Sequence, residues 1–383
     1  MTPPHPQPRR RIFLFVALAA WLLALGGLGF ALAGGAGEEK TAPPTKAGTA
    51  TVPSLTTGAV DSTAVGPAKP GIVLGARILG GVQPDQPGHG RTDAAERTRI
   101  EALLGRKLGL ERIYYSWWQD WPTSYAIQSA RAGRIPLISF NSGSYTWRQV
   151  ADGAGDAWLR RRYRKIKAHP ELRAAILIFQ SEPEGDRARN GTPSDYVAAF
   201  RHVVTVARDE HVLNRWANTL QDYTINTGKP VDVWWPGDAY VDYVGWDIYG
   251  ARVNTPTVSH CSAAGWQSFY DAAIKPYDFA LAHGKPMIIP ELGQREDPNN
   301  PQRKANWLKA MRFELKTRFP NIVAISWAHS DFGGICPYAS TWWMDTSPQS
   351  LAAFAAMAAD PYFRGTERRP PAALNCPSHA GCP

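Results

Sequence analysis

Ala174-Ala175-Ile176-Leu177-Ile178-Phe179-Gln180-Ser181-Glu182 is a short apolar run that ends on a carboxylate, and Pro286-Met287-Ile288-Ile289-Pro290-Glu291-Leu292-Gly293 repeats the arrangement later in the chain. Neither run alternates apolar with polar residues, which is the pattern of strands covered on both faces in a parallel sheet. A carboxylate is costly to desolvate and adds nothing to a core. Its place at the C-terminal end of such a strand therefore asks for another reason, and in a (β/α)8 barrel that end is where sites are built.

Working outward from these two runs, apolar strands alternate with longer amphipathic segments. Gly71–Gly75 reads as a first strand, Arg112–Trp117 as a second and Ile135–Phe140 as a third; the fourth ends at Glu182. A fifth falls near Asn214–Leu220, a sixth at Tyr243–Tyr249, a seventh on the run to Glu291 and an eighth at Ile322–Trp327. Between them, Asp93-x-x-Glu96 reads as a capping box opening a helix to about Leu108. Asp156 to His169 is a basic helix, Thr192-Pro193-Ser194 starts another to about Arg208, and Ser347-Pro348 caps a last one to about Ala359. Eight βα units without an internal break predict one TIM barrel over residues 71–364 rather than two domains.

The ends of the 383-residue chain read differently. Arg9-Arg10-Arg11 precedes an apolar stretch from Ile12 to about Gly35, a basic region followed by an export segment. Ala31-Leu32-Ala33 is a small-residue cleavage pattern, whereas the length suits a retained membrane anchor over residues 12–34, so residues 1–35 are expected to be a signal peptide or an anchor. Arg10-Arg11-Ile12-Phe13-Leu14 also fits a twin-arginine pattern. Residues 36–70, rich in Thr, Pro, Ala, Gly and Ser, predict a disordered linker, and residues 365–383 a Pro- and Cys-containing tail. The protein is expected outside the cytoplasm, secreted or anchored. Cys261, Cys336, Cys376 and Cys382 make an even count in that setting, and two disulfides are expected; three pairings are open, of which nearness in sequence favours Cys376 with Cys382 and hence Cys261 with Cys336. Their spacing does not suggest a zinc site. Net charge is +9, but Arg160–Lys165 reads as one solvated helix face rather than a nucleic-acid patch. No metal, no cofactor, no nucleic acid and a monomer are expected.

Two carboxylates facing one cleft from strands four and seven are what retaining glycoside hydrolysis requires. Glu182 is read as general acid/base and Glu291 as nucleophile, with Glu184 a rival for Glu182 because it lies only two residues on. The competing explanation is a pair of buried, ion-paired glutamates. Aromatic residues follow the same geography, and flat aromatic faces stack on the C–H faces of sugars. Trp117, Trp118, Trp246, Tyr249 and Trp327 are candidate sugar contacts, Trp327 as the floor of the site. Asp242 and Asp247 are read as structural, and Asn190-Gly191-Thr192 matches a glycosylation acceptor.

The segment Trp235-Pro236-Gly237-Asp238-Ala239-Tyr240-Val241-Asp242-Tyr243-Val244-Gly245-Trp246-Asp247-Ile248-Tyr249 resembles strand six of family 26 glycoside hydrolases, clan A barrels that include endo-β-mannanases. Tyr114–Trp117, Trp343-Met344-Asp345-x-Ser347-Pro348 and Asp360-Pro361-Tyr362-Phe363 look similar too. The resemblance implies an endo-acting hydrolase of a β-linked polysaccharide, β-mannan first, with the acid/base at Glu182, the nucleophile at Glu291 and Tyr249 orienting the nucleophile. It departs at strand four, where the family's His-Glu-Met-Asn-Gly reads Ser181-Glu182-Pro183-Glu184-Gly185. Ser181 replaces a histidine expected to touch the sugar, which leaves β-glucan and β-xylan open as substrates. A barrel that binds polysaccharide without cutting it, and an enzyme that processes the cell's own envelope polysaccharide, are the other readings.

Overall fold

A computed structural model describes residues 71–78, 92–250, 265–297, 299–330 and 342–365. The expected export segment, linker and tail, and all four cysteines with their proposed pairing, lie outside the described residues. No helix among the described residues is long and apolar enough to cross a membrane.

Eight parallel strands close into a barrel in chain order. They are β1 (Val73–Ile78), β2 (Leu110–Tyr115), β3 (Ile135–Phe140), β4 (Ile176–Phe179), β5 (Arg215–Gln221), β6 (Tyr243–Tyr249), β7 (Met287–Gly293) and β8 (Ile322–His329). The helices are α1 (Asp93–Leu104), α2 (Ser124–Arg131), α3 (Trp147–Ala151), α4 (Asp156–Lys167), α5 (Arg187–Asn190), α6 (Pro193–Asp209), α7 (Asp222–Asn226), α8 (Phe269–Ala282), α9 (Pro301–Thr317) and α10 (Pro348–Ala359). β3 and β6 fall where expected. α1 does not: its N-cap is Thr92, whose hydroxyl accepts from the Ala95 N–H, and Gly105 at φ 68° ends it short of Leu108. The cap expected of Asp93 thus moves back one residue, and Glu96 is fully buried instead of reaching back to the cap. Thr192 caps α6 reciprocally with Asp195, as the Thr-Pro-Ser start suggested.

The apolar core divides in two. Inside the barrel, Val73, Leu110, Leu137, Ile176, Tyr243 and Ile288 belong to a plug at the N-terminal ends of the strands. A larger cluster fills the space between strands and helices. Side chains alternate along a strand, so the inward positions above the plug are Arg77, Arg112, Ser139, Thr219, Asp247 and Ser326, all polar. The sequence thus builds a dry floor and a wet mouth within the same eight strands.

Alternation also decides the tryptophans. Trp246 sits between inward Gly245 and Asp247, so it points outward and packs its edge on Phe279 of α8, with ring centroids 5.6 Å apart. Trp327 likewise points outward against Phe354 of α10 at 4.6 Å. Trp117 stacks on Trp158 of α4 at 4.7 Å. All three are buried to within 1 %. Burying a Trp contributes about 4–6 kcal/mol of hydrophobic free energy. These rings hold helices to the barrel and have no face left for a sugar, so the sugar-contact reading of Trp117, Trp246 and Trp327 is corrected.

Two smaller readings are settled. Asp242 accepts from the Trp216 N–H at 2.8 Å and from Arg215, a structural loop contact as expected. Asn190 is 1 % exposed and accepts from its neighbour Arg189, which leaves the glycosylation match without an accessible amide. The basic run Arg160–Lys165 lies on α4, where Arg160 and Arg164 pair with Glu210, and Arg162 and Lys165 with Asp120.

Candidate active site

Strict alternation would not aim Glu291 into the barrel. Ile288 faces in, so Pro290 and Leu292 should follow it and Glu291 should face the helices. The register shows why it does not. Gly245 pairs Ile288 but Ile248 pairs Leu292, and Ile289 pairs Ile325 but Leu292 pairs Trp327. β7 therefore carries one extra residue relative to both neighbours, a bulge at Pro290-Glu291. Bulges re-aim side chains beside sites, and proline, lacking an N–H, belongs at such a break. Leu292 accordingly joins the outer cluster, and Glu291 turns into the mouth two residues before the strand ends. Gly245 makes room: a Cβ there would lie 2.6 Å from Thr219 Oγ1 and 3.2 Å from Pro290 Cγ.

Glu182 arrives differently. β4 stops at Phe179, three residues earlier than expected. The chain then turns through two left-handed residues, Gln180 at φ 51° and Glu182 at φ 53°. Non-glycine residues held there store strain, which accumulates at functional sites. The Glu182 N–H donates to the Thr219 carbonyl at 3.0 Å, fixing the turn against β5. Glu182 and its rival Glu184 both lie past the end of β4, so position on the strand does not separate them.

Environment does. Glu291 Oε1 accepts from Arg77 Nη1 at 3.1 Å and from the Tyr114 hydroxyl, and Oε2 accepts from the Tyr249 hydroxyl at 2.5 Å. Burial alone would lift the Glu291 carboxyl, but Arg77, Arg112 and the two hydroxyls outweigh it and hold the group below its usual value. Burial keeps both tyrosines protonated as donors. Arg77 and Arg112 also lie over the Tyr114 ring, at 4.4 and 4.7 Å from its centre. Glu182 moves the other way. Burial, then the charges of Glu291 and Glu184, push it up to about 8, against the opposing pull of the Gln221 amide and Arg112. The two carboxyls feel each other's charge in one mouth, one held ionised and one held protonated.

The third carboxyl of the mouth, Asp247, is raised by burial and by Glu291. Ser181 Oγ accepts from Arg112 Nη2 at 2.6 Å. Arg77, Arg112 and Tyr114 are the site residues that sequence reasoning did not single out as such. Their signal was their inward parity on β1 and β2, legible once the strand frame is fixed.

Of the aromatic candidates, Trp118 is 55 % exposed and lies beside Tyr145 at 5.6 Å, a platform on the β2 side of the mouth. Tyr249 is in place on Glu291. Trp342, half-buried and one of the aromatic residues near the later strand ends, stands edge-on to Tyr249 at 6.3 Å. Gly293 leaves it room, since a Cβ there would meet Trp342 Cδ1 at 2.4 Å. The Trp342 carbonyl accepts from Trp327 Nε1 at 2.6 Å, so the buried Trp327 carries the half-buried Trp342. Among the described residues no group of His, Cys, Asp and Glu is placed to hold a metal ion.

Residues 184–272 match the model of glycosyl hydrolase family 26, a stretch that contains the strand-six segment and neither Glu182 nor Glu291. Endoglucanase H of Acetivibrio thermocellus is 27 % identical over 310 residues, covering 79 % of this chain and 32 % of that protein. The chain thus spans about a third of that relative's length. Among solved structures, a Cellulomonas fimi endo-β-1,4-mannanase double mutant superposes with a TM-score of 0.52 at 18 % identity, over 76 % of this chain and 71 % of that one. A family 26 β-mannanase from Bacteroides ovatus gives 0.51 at 14 % identity, over 77 % and 90 %. The solved structures share the barrel fold, and the matched stretch resembles a glycoside hydrolase model. Over that matched stretch the chain is similar to glycoside hydrolase family 26.

Proposed function

We propose that the chain is a retaining endo-β-glycanase in which Glu291 is the nucleophile and Glu182 the acid/base. The observation that carries this reading is the opposed environment of the two glutamates in one mouth. In the first step Glu182 gives its proton to the glycosidic oxygen as the bond to C1 breaks. The Glu291 carboxylate forms a new bond to C1, and the polymer beyond the cleaved link leaves as an alcohol. In the second step Glu182, now ionised, takes a proton from water whose oxygen attacks C1, and Glu291 leaves as a carboxylate. Tyr249, Tyr114 and Arg77 orient Glu291 and keep it ionised. Trp118 and Trp342 offer sugar-stacking faces, Trp342 taking the floor role expected of Trp327.

β-Mannan is the substrate the family resemblance favours. β-Glucan is the second reading, favoured by Ser181 in place of the histidine and by the relative named an endoglucanase. Export, with residues 12–34 as signal or anchor, is proposed on the Arg9–Arg11 and apolar pattern; N-terminal sequencing of the protein from culture fluid and from membranes tests it. The catalytic assignment is tested by Glu291→Ala, which should lower turnover by roughly 10³-fold or more with thermal unfolding retained. Undiminished hydrolysis by that variant refutes it.

A further inference from the structure

Glu184 stands where the family motif has asparagine, and the turn around it ties it to the proposed acid/base. Glu184 Oε1 accepts from the backbone N–H of Gln221 at 3.0 Å. Gln221, the last residue of β5, donates from its side-chain Nε2 to Glu182 Oε2 at 3.1 Å. Two residues back on β5, the Thr219 carbonyl holds the Glu182 N–H at 3.0 Å. The strained turn is therefore pinned to the end of β5 at three points, two of them through carboxyl oxygens.

We propose that Glu184 is a positioning residue, holding Gln221 so that its amide orients the Glu182 carboxyl, and setting a second negative charge beside that carboxyl. The inference rests on Glu182 being the acid/base. Glu182 is faced by Glu291 from β7, Asp247 and Tyr249 from β6, Arg112 from β2, Gln221 from β5 and Glu184 from its own turn. Glu184 is faced by Asp222 and Thr224 of α7, and its charge reaches Tyr196 of α6. Burial raises Glu184 to about 7, so its charge develops just below the pH at which Glu182 must still hold its proton. A like charge nearby disfavours ionisation. Glu184 thereby extends the working range of the acid toward alkaline pH, which an asparagine would not do.

The test is the pH dependence of kcat/KM, which reports the free enzyme's groups. It is measured on the full chain with the polysaccharide it cleaves fastest. Glu184→Gln keeps an acceptor for the Gln221 N–H and loses the charge. Its alkaline limb should move down by about half to one pH unit, leaving roughly 3–10-fold less activity above the limb relative to its own plateau. Glu184→Ala loses both and should also lower the plateau, by on the order of 10-fold. An unmoved limb in Glu184→Gln overturns the inference. Glu182→Ala with the 2,4-dinitrophenyl glycoside of the same sugar separates the two readings, because this leaving group needs no proton. Azide restoring turnover there, with the Glu184→Gln limb unmoved, sinks the inference alone. Full polysaccharide activity in Glu182→Ala sinks the acid/base reading and the inference with it.

Discussion

Two glutamates of the same chemical type are driven apart by what each one touches. Glu291 is gripped by Arg77, Tyr114 and Tyr249, all donors, whereas Glu182 has one amide donor and two carboxylate neighbours. That asymmetry has a cost in stability with a definite sign. A carboxyl raised to about 8 in the folded chain keeps its proton while the unfolded chain, near 4.5, releases it. Folding stability from Glu182 is thus complete below about 4.5 and falls as pH rises toward 8. Glu182→Gln should therefore unfold at a higher temperature than the parent at pH 8, by roughly 2–4 °C for each kcal/mol relieved, and at the same temperature near pH 4. Calorimetry at the two pH values checks it, and a lower melting temperature at pH 8 contradicts the raised value. The same chemistry sets activity: Tyr249→Phe removes the 2.5 Å donor on Glu291 and should lower kcat by roughly 10–100-fold. Steady-state kinetics decides this, an unchanged kcat counting against Tyr249 as the orienting group. The two carboxylates were legible in the sequence because each closes an apolar run. Arg77 and Arg112 were not, because a cation inside a strand reads as a flaw until its parity places it above the plug.

Elements supply the geometry that residue types alone do not. β7 aims Glu291 inward only because one extra residue at Pro290-Glu291 reverses its parity, and Gly245 on β6 leaves the space. Gly245→Ala would press a methyl onto Thr219 Oγ1 and the Asn218 carbonyl at 2.6 and 2.9 Å. Overpacking of this kind costs about 1–3 kcal/mol. The variant should melt several degrees lower and lose kcat/KM beyond what instability explains, since the bulge must shift. Parental kinetics in a folded variant would detach the bulge from the chemistry. Pro290 inside an otherwise strand-like run was the signal for this break, and it passed as part of an apolar run. β4 misled in the opposite way: Gln180-Ser181-Glu182 extended the run on paper, while the left-handed turns at Gln180 and Glu182 end it at Phe179. Strands β3 and β6 were read to the residue because their runs are bounded by Gly, Pro, Asp or Asn. The tryptophans were misplaced for lack of parity: Trp246 and Trp327 lie at the right end of the right strands and point at helices.

At the scale of the molecule, the barrel gives one mouth walled on the β2 side by Trp118 and near β7 by Trp342, with the two glutamates between them. Exposed rings bind sugars by stacking without contributing to proton transfer. Trp118→Ala should therefore raise KM on a polymer, by roughly 10-fold, with a much smaller change in kcat. An equal fall in kcat would place Trp118 in the transition state instead. Which polymer enters turns on the sugar beside Glu182, where a serine backed by Arg112 stands for the family's histidine. Ser181 Oγ accepts from Arg112 at 2.6 Å and lies 3.4 Å from Ser139 Oγ, so its proton reaches a sugar where Ser139 is the donor of that pair, and a hydroxyl reaches less far than an imidazole. A sugar with an equatorial 2-hydroxyl and one with an axial 2-hydroxyl present different oxygens to such a short donor. Release of reducing ends from β-mannan, glucomannan, mixed-linkage β-glucan, β-1,3-xylan and β-1,4-xylan, with Glu291→Ala as the blank, separates them. Glucan above mannan would mean that Ser181 redirects an otherwise mannanase-like mouth, and Ser181→His should then move the ratio of the two kcat/KM values back toward mannan. Mannan above glucan in the parent chain would mean the histidine is dispensable for that sugar. Silence on all five would turn the reading toward a polysaccharide of the cell's own envelope or a barrel that binds without cutting.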